Sequence, residues 1–116
     1  VFVSYFRGEM GLKKLVQSNW WEGLWVFPSE PPTEIALSTI PLKQFDHTVT
    51  SNRLRFEPTL CIVGIKSGDL QWYELDGLES LPMPAPFRRI LRDAVQSISA
   101  QEQSFLAERN SPLRSA

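Results

Sequence analysis

Histidine and cysteine each occur once in this chain of 116 residues, as His47 and Cys61. A single cysteine cannot close an internal disulfide, and one residue of each kind cannot furnish the several His or Cys ligands of a zinc site. One histidine leaves a nucleophilic triad a single possible base, and no G-x-S-x-G elbow accompanies it. The six glycines are scattered through turns rather than gathered into a phosphate-cradling loop. Positive charge is not in excess either: 12 Lys and Arg stand against 13 Asp and Glu, for a formal charge of -1. A domain that holds DNA alone usually carries a basic surplus to replace counterions on the phosphates, so contact with DNA would require a more basic partner domain. No apolar run approaches a membrane span, and no charged-then-apolar signal opens the chain. Paired carboxylates remain open, but Glu30 and Glu34 fall in a proline-rich connection and read as solvated. With no catalytic residues evident, the chain reads as one that binds rather than transforms.

What is present is the material of one folded domain. Hydrophobic residues make up 42% and aromatics 11%, values of a globular chain, and the length suits a single modest core. Cys61 sits in Thr59-Leu60-Cys61-Ile62-Val63, a strand-like run in which a buried, inert thiol is expected. A lone cysteine also suits a reducing compartment such as a cytoplasm. The chain opens on Val1 with a strand beginning at once. It therefore reads as a piece of a longer protein, a processed or tagged start being the alternative.

Val1 to Arg7 is rich in β-branched and aromatic residues and predicts a strand. Gly8 to Gly11 predicts a turn, and Leu12 to Gln17 a returning strand of a hairpin. Trp20, Trp21 and Trp25 then crowd the segment that ends at Pro28. Residues 29–44 hold Pro31, Pro32 and Pro41 and a short apolar patch at Ile35 to Leu37; they predict a surface connection with at most a few helical turns. Phe45 to Ser51 predicts a strand running into a turn at Asn52. Leu54 to Ile65, interrupted by Pro58, fits one long bulged strand or two short ones. Ser67 to Asp69 turns the chain, and Leu70 to Leu75 predicts another strand.

Leu81 to Pro86 is a rigid lead-in to an amphipathic helix. Phe87, Ile90, Leu91, Ala94, Val95 and Ile98 recur at three and four, with Phe105 and Leu106 keeping the period. Arg88, Arg89, Arg92 and Asp93 fall on the other face, a solvated surface or a basic stripe. Residues 1–98 are expected to carry the domain, and 99–116 a helix extension and a disordered tail. The expected class is α+β: a mixed β-sheet with a C-terminal amphipathic helix and at most one further short helix.

At Gly23-Leu24-Trp25-Val26-Phe27-Pro28 the chain resembles the G-L-W-x-F-P signature of the Nudix-like C-terminal domain of MutY-type adenine DNA glycosylases. Phe45-Asp46-His47-Thr48 is similar to the stretch that opens the family's damage-reading loop. Trp72-Tyr73, followed by Leu81-Pro82-Met83-Pro84-Ala85-Pro86 and the helix, is similar to the family's ending. The motifs run in order over about residues 1 to 98. In Nudix hydrolases the W-x-F-P turn precedes a long box of Glu and Arg residues that hold magnesium against a diphosphate. Residues 29–44 contain no arginine and no glycine, and are shorter than that box.

The resemblance implies a lesion-recognition domain, DNA-associated in a bacterial cytoplasm and acting in base excision repair. Its parent would hydrolyse the N-glycosidic bond of adenine opposite 8-oxoguanine. An iron–sulfur cluster would belong to a separate catalytic domain, with no cofactor held in this fragment. The implied partners are double-stranded DNA containing 8-oxoguanine opposite adenine and the N-terminal catalytic domain of the same chain, with no membrane involved. Guanine offers an acceptor at N7, whereas 8-oxoguanine carries a hydrogen there, so an accepting group placed at N7 favours the lesion.

The family's Phe-Ser-His reading run matches Val49, Thr50 and Ser51, and all three depart from it. Thr50 keeps the hydroxyl, Val49 cannot stack as an aromatic would, and Ser51 loses the imidazole. The DNA- and lesion-contacting residues implied are thus His47, Val49, Thr50, Ser51 and Arg53, with Arg55 a further phosphate contact. His47 and the arginines have plainer readings: His47 as a hydrogen-bonded histidine at a strand start, the arginines as solvated strand positions. Trp25 and Phe27 are assigned to the core. Trp20 and Trp21 would pack against the catalytic domain or lie on DNA, with at least one of them in the core. The alternative is a catalytically inactive Nudix-fold module for protein contacts or nucleotide sensing, and a third reading is a pyrophosphohydrolase with a divergent metal site.

Overall fold

Alternating aromatic and β-branched residues at the start of the chain form β1 (Phe2–Phe6), which pairs antiparallel with β2 (Glu9–Lys14). A computed structural model gives the structure and describes residues 1–16, 20–32 and 36–109, with side chains through residue 101. The expected strand end at Gln17, Glu34, Ile35, the side chains of Phe105 and Leu106, and the tail from Asn110 lie outside the described residues.

The first turn is tighter than the sequence predicts. Phe6 pairs with Glu9, leaving only Arg7 and Gly8 in the loop, both at positive φ (46° and 89°). Positive angles at both central residues match the twist of the flanking strands, and glycine adopts them at least cost. Gly11, expected in the turn, lies inside β2 for a different reason. It faces Trp72 of β8 (Gln71–Glu74), and a Cβ there would stand 2.7 Å from Leu70 Cδ1 and 3.1 Å from Trp72 Cζ2.

β2 serves three neighbours: β1 on one side, and on the other β8 along Glu9 to Leu12 and β3 (Trp25–Val26) at its end. Beyond β1 the sheet continues with β7 (Thr59–Val63), parallel to β1, and then β4 (Ala36–Pro41), antiparallel to β7. β4 corrects the expected surface connection over residues 29–44. It is an edge strand, bulged between Ala36 and Ser38, with Pro41 at its last position. Edges and strand ends are where a proline does least harm to a ladder. β5 (Phe45–Val49) and β6 (Asn52–Phe56) form a separate two-stranded hairpin. Pro58 divides β6 from β7, so the run from Leu54 to Ile65 makes two strands in two different sheets.

A 3-10 helix (Leu75–Ser80) leads through Pro82 and Pro84 to α1 (Ala85–Arg109). Pro86 occupies the second position of α1, in the first turn, where a missing N–H goes unnoticed. The expected stripe packs inward: Phe87, Ile90, Leu91, Ala94 and Ile98 are buried and join Val3, Met10, Leu12, Phe27, Leu60 and Leu78 in one core. Burying each such side chain contributes about 1.5–3 kcal/mol. Phe27 is buried and Trp25 packs against the core, edge-on to Tyr73 at 5.3 Å. Cys61 is buried as expected, and burial pushes its thiol pKa up from 9.0.

The polar face of α1 is less solvated than its sequence implies. Arg88 donates to the carbonyl oxygens of Leu78 (2.8 Å), Glu79 (3.2 Å) and Leu81, tying the end of the 3-10 helix to α1. Arg89 lies over the ring of Phe45 and Asp93 is half-buried, so of this group only Arg92 is exposed. Helical periodicity separates the core stripe from the rest of the surface, but carries no information about what a neighbouring segment lays against that rest. The α+β class itself is as expected: a mixed sheet, a C-terminal amphipathic helix and one short helix.

Candidate nucleic-acid interface

The β5–β6 hairpin is attached to the domain by its base. Phe45 and Phe56 pair across it with ring centroids 5.2 Å apart and planes 15° from parallel. Both are buried. Arg89 caps the Phe45 face at 4.2 Å, and Phe56 meets Phe87 edge-on at 5.6 Å. Among the described residues no ladder partner flanks this hairpin; its strands run on from the paired β4 and β7 through a bond from Leu42 N–H to the Pro58 carbonyl at 2.9 Å, and side-chain packing from α1 and from Trp21 holds its base. Aromatic pairs in such geometries contribute about 0.5–1.5 kcal/mol beyond the area they bury.

Strand alternation sorts the expected site residues onto different faces. His47 pairs with Leu54, both half-buried, on the face that carries Phe45 and Phe56 and, nearer the tip, Val49. His47 is the third residue of β5, not at the strand start. Arg53 and Arg55 lie on the outer face opposite Thr48 and Asp46, and are exposed. Asp46 holds both arginines, Arg53 at 2.8 Å and Arg55 at 3.7 Å, while Arg55 also reaches Glu57 at 3.6 Å and Gln44 at 2.8 Å. The tip therefore gathers Thr50, Ser51 and Arg53, and sets His47 apart from them on the inner face.

The turn lies at Thr50 and Ser51, one residue earlier than expected, because Val49 pairs with Asn52. Thr50 has φ of 54°, a left-handed conformation that a β-branched residue rarely adopts and that costs about 1–2 kcal/mol. Its hydroxyl donates to the Val49 carbonyl at 2.6 Å and accepts from Asn52 Nδ2 at 3.5 Å. The hydroxyl hydrogen is thus committed inward, and what the exposed oxygen offers to a ligand is a lone pair. Asn52, Asp46 and Arg89 are site residues that the sequence reading missed. The only signal for Asp46 was opposite charge across the paired strands; nothing local marked Arg89, which is 44 positions from Phe45 in the chain.

Glu30 is the one carboxylate described between Pro28 and Phe45, and among the described residues no three His, Cys, Asp or Glu side chains converge. A groove of about 540 Å³ runs between the 3-10 helix and α1 past Leu75, Asp76, Leu91, Arg92 and Val95. A smaller cavity of about 100 Å³ lies by Ser4, Lys13, Pro28, Ser67 and Asp69. Neither includes a residue of the hairpin.

A family model for the NUDIX domain matches residues 1–93, from β1 into the first turns of α1. Comparison with curated proteins gives no match.

Proposed function

This chain belongs to the NUDIX domain family, and on that premise we propose that it is the lesion-recognition domain of an adenine DNA glycosylase, with the β5–β6 tip reading 8-oxoguanine opposite adenine. The observation that carries the reading is the polarity of Thr50. Its hydroxyl hydrogen is engaged by the Val49 carbonyl, so the oxygen accepts from N7–H of the oxidised base. Against guanine the same oxygen would face the N7 lone pair, two acceptors with no hydrogen between them. One such contact is worth about 1–3 kcal/mol of discrimination.

Arg53 supplies the positioning contact. Its exposed pairing with Asp46 is of the kind worth about 0–1 kcal/mol, so exchanging that carboxylate for a phosphate costs little. With a net charge of -1, the domain adds discrimination more than affinity, and most phosphate contacts belong to the catalytic domain with its iron–sulfur cluster. In the full-length protein, Thr50→Val is expected to slow adenine removal opposite 8-oxoguanine about tenfold while leaving removal opposite guanine unchanged or faster. Equal changes on the two substrates would sink the reading.

A further inference from the structure

The outer face of the hairpin carries two guanidinium groups and one carboxylate shared between them. Arg53 and Arg55 are alternate residues of β6 and so stand on the same face. Asp46 lies opposite Arg55 on β5, and its two oxygens are divided: Oδ2 meets Arg53 at 2.8 Å and Oδ1 meets Arg55 at 3.7 Å. Arg55 is held further by Glu57 at 3.6 Å and donates to Gln44 at 2.8 Å. The side chains of Arg53 and Arg55 are 76% and 61% exposed, against 32% for Asp46. The carboxylate is the more covered partner, and the guanidinium groups keep most of their surface open to water.

A carboxylate and a phosphodiester make the same kind of contact with a guanidinium, two oxygens against a planar fork of donors. Asp46 thus occupies, from within the hairpin, the place between two arginines that suits a backbone phosphate. The charges of the face cancel, Arg53 and Arg55 against Asp46 and Glu57. At rest the face offers DNA no net attraction.

Resting on the reading of the preceding subsection, we infer that Arg53 and Arg55 together form a phosphodiester site and that Asp46 is its internal competitor. An arriving phosphate must displace the carboxylate and then lies close to it. Contact with the backbone is therefore weak on every sequence, and a lasting complex depends on the base contact at the tip. Asp46 touches no base; it is a positioning residue that acts through the two arginines.

The test uses the 116-residue chain and a labelled, undamaged duplex, with fluorescence anisotropy read over a series of salt concentrations. Asp46→Asn is expected to tighten binding about tenfold at low ionic strength and to steepen the fall of log affinity with log salt by about one, the mark of a further phosphate contact. Asp46→Ser should do the same, so that a folding fault in one variant does not decide the result. Glu74→Gln, which removes the same charge from β8 in the main sheet, should do neither. Adding Arg53→Ala and Arg55→Ala to Asp46→Asn should cancel the gain. The inference is overturned by a gain no larger than that of Glu74→Gln, by a gain that survives loss of both arginines, or by undetectable binding of both Asp46 variants. The reading of the lesion fails separately. Equal affinity of the Asp46→Asn chain for duplexes with 8-oxoguanine and with guanine opposite adenine would strike the tip and leave the phosphate site standing.

Discussion

Two hairpins of this chain turn on two residues each, yet they are secured in opposite ways. The first, β1–β2, lies in the middle of the main sheet, with β7 beside β1 and β3 and β8 beside β2, and its turn uses Gly8 at φ 89°. The second, β5–β6, has no ladder partner among the described residues, and its turn places Thr50 at φ 54°. The first satisfies its backbone on both sides and fills one of its two positive-φ positions with glycine, the other being Arg7 at 46°. The second hangs from two phenylalanines and spends conformational strain at an exposed tip, where a hydroxyl is held in one orientation. Strain at an exposed turn that a glycine would relieve is a local cost of the kind that clusters at functional positions, which is the role proposed for Thr50.

The contrast is most severely tested at the hairpin base. Phe45→Ala should cost about 3–5 kcal/mol in urea unfolding. Hydrogen exchange should show the amides of β5–β6 losing protection well before those of β1–β2. Equal loss in both hairpins would mean that the second is not independently hung. Gly8→Val should cost about 1–2 kcal/mol, since valine would be forced into the left-handed region. An unchanged urea midpoint would contradict the turn geometry at Arg7 and Gly8. Thr50→Gly is expected to do the reverse, raising stability by about 1 kcal/mol while abolishing the proposed preference for 8-oxoguanine. If stability and preference rose or fell together, strain and reading would not be linked at that residue.

The smallest effect belongs to the main sheet. Burial raises the Cys61 thiol above 9.0, so the unfolded chain releases that proton first as pH climbs. Stability is then fully present below pH 9.0 and declines above it. Cys61→Ala should flatten this alkaline decline, measured as urea midpoint against pH. Exchange protection of β5–β6, which lacks such a group, should not follow the same curve.

Features with a short period were legible in the sequence. Helix α1 announced itself through Phe87, Ile90, Leu91, Ala94 and Ile98, and β1, β7 and β8 through their β-branched and aromatic runs. What failed were residues whose reason lies far along the chain. Gly11 looked like a turn residue, but it is glycine because Trp72 crosses it. Pro41 looked like a breaker, but an edge strand has room for it. Arg88 looked solvated, but its donors close the carbonyls of a helix that precedes it by several residues. At the candidate site the motif order brought attention to Thr50 and Ser51. It could not show that strand alternation turns His47 away from Arg53, or that Asp46 holds the arginines in place.

The free edges of the main sheet have a bearing on how this chain behaves in a crowd. β3 offers two residues, β8 four, and β4 is broken near its start by the bulge at Leu37 and closed by Pro41. Each is too short or too irregular to template an added strand from another molecule. The main sheet can thus sit beside exposed apolar residues such as Leu37 and Ile65 without its described edges offering a ladder along which copies would zip into fibres.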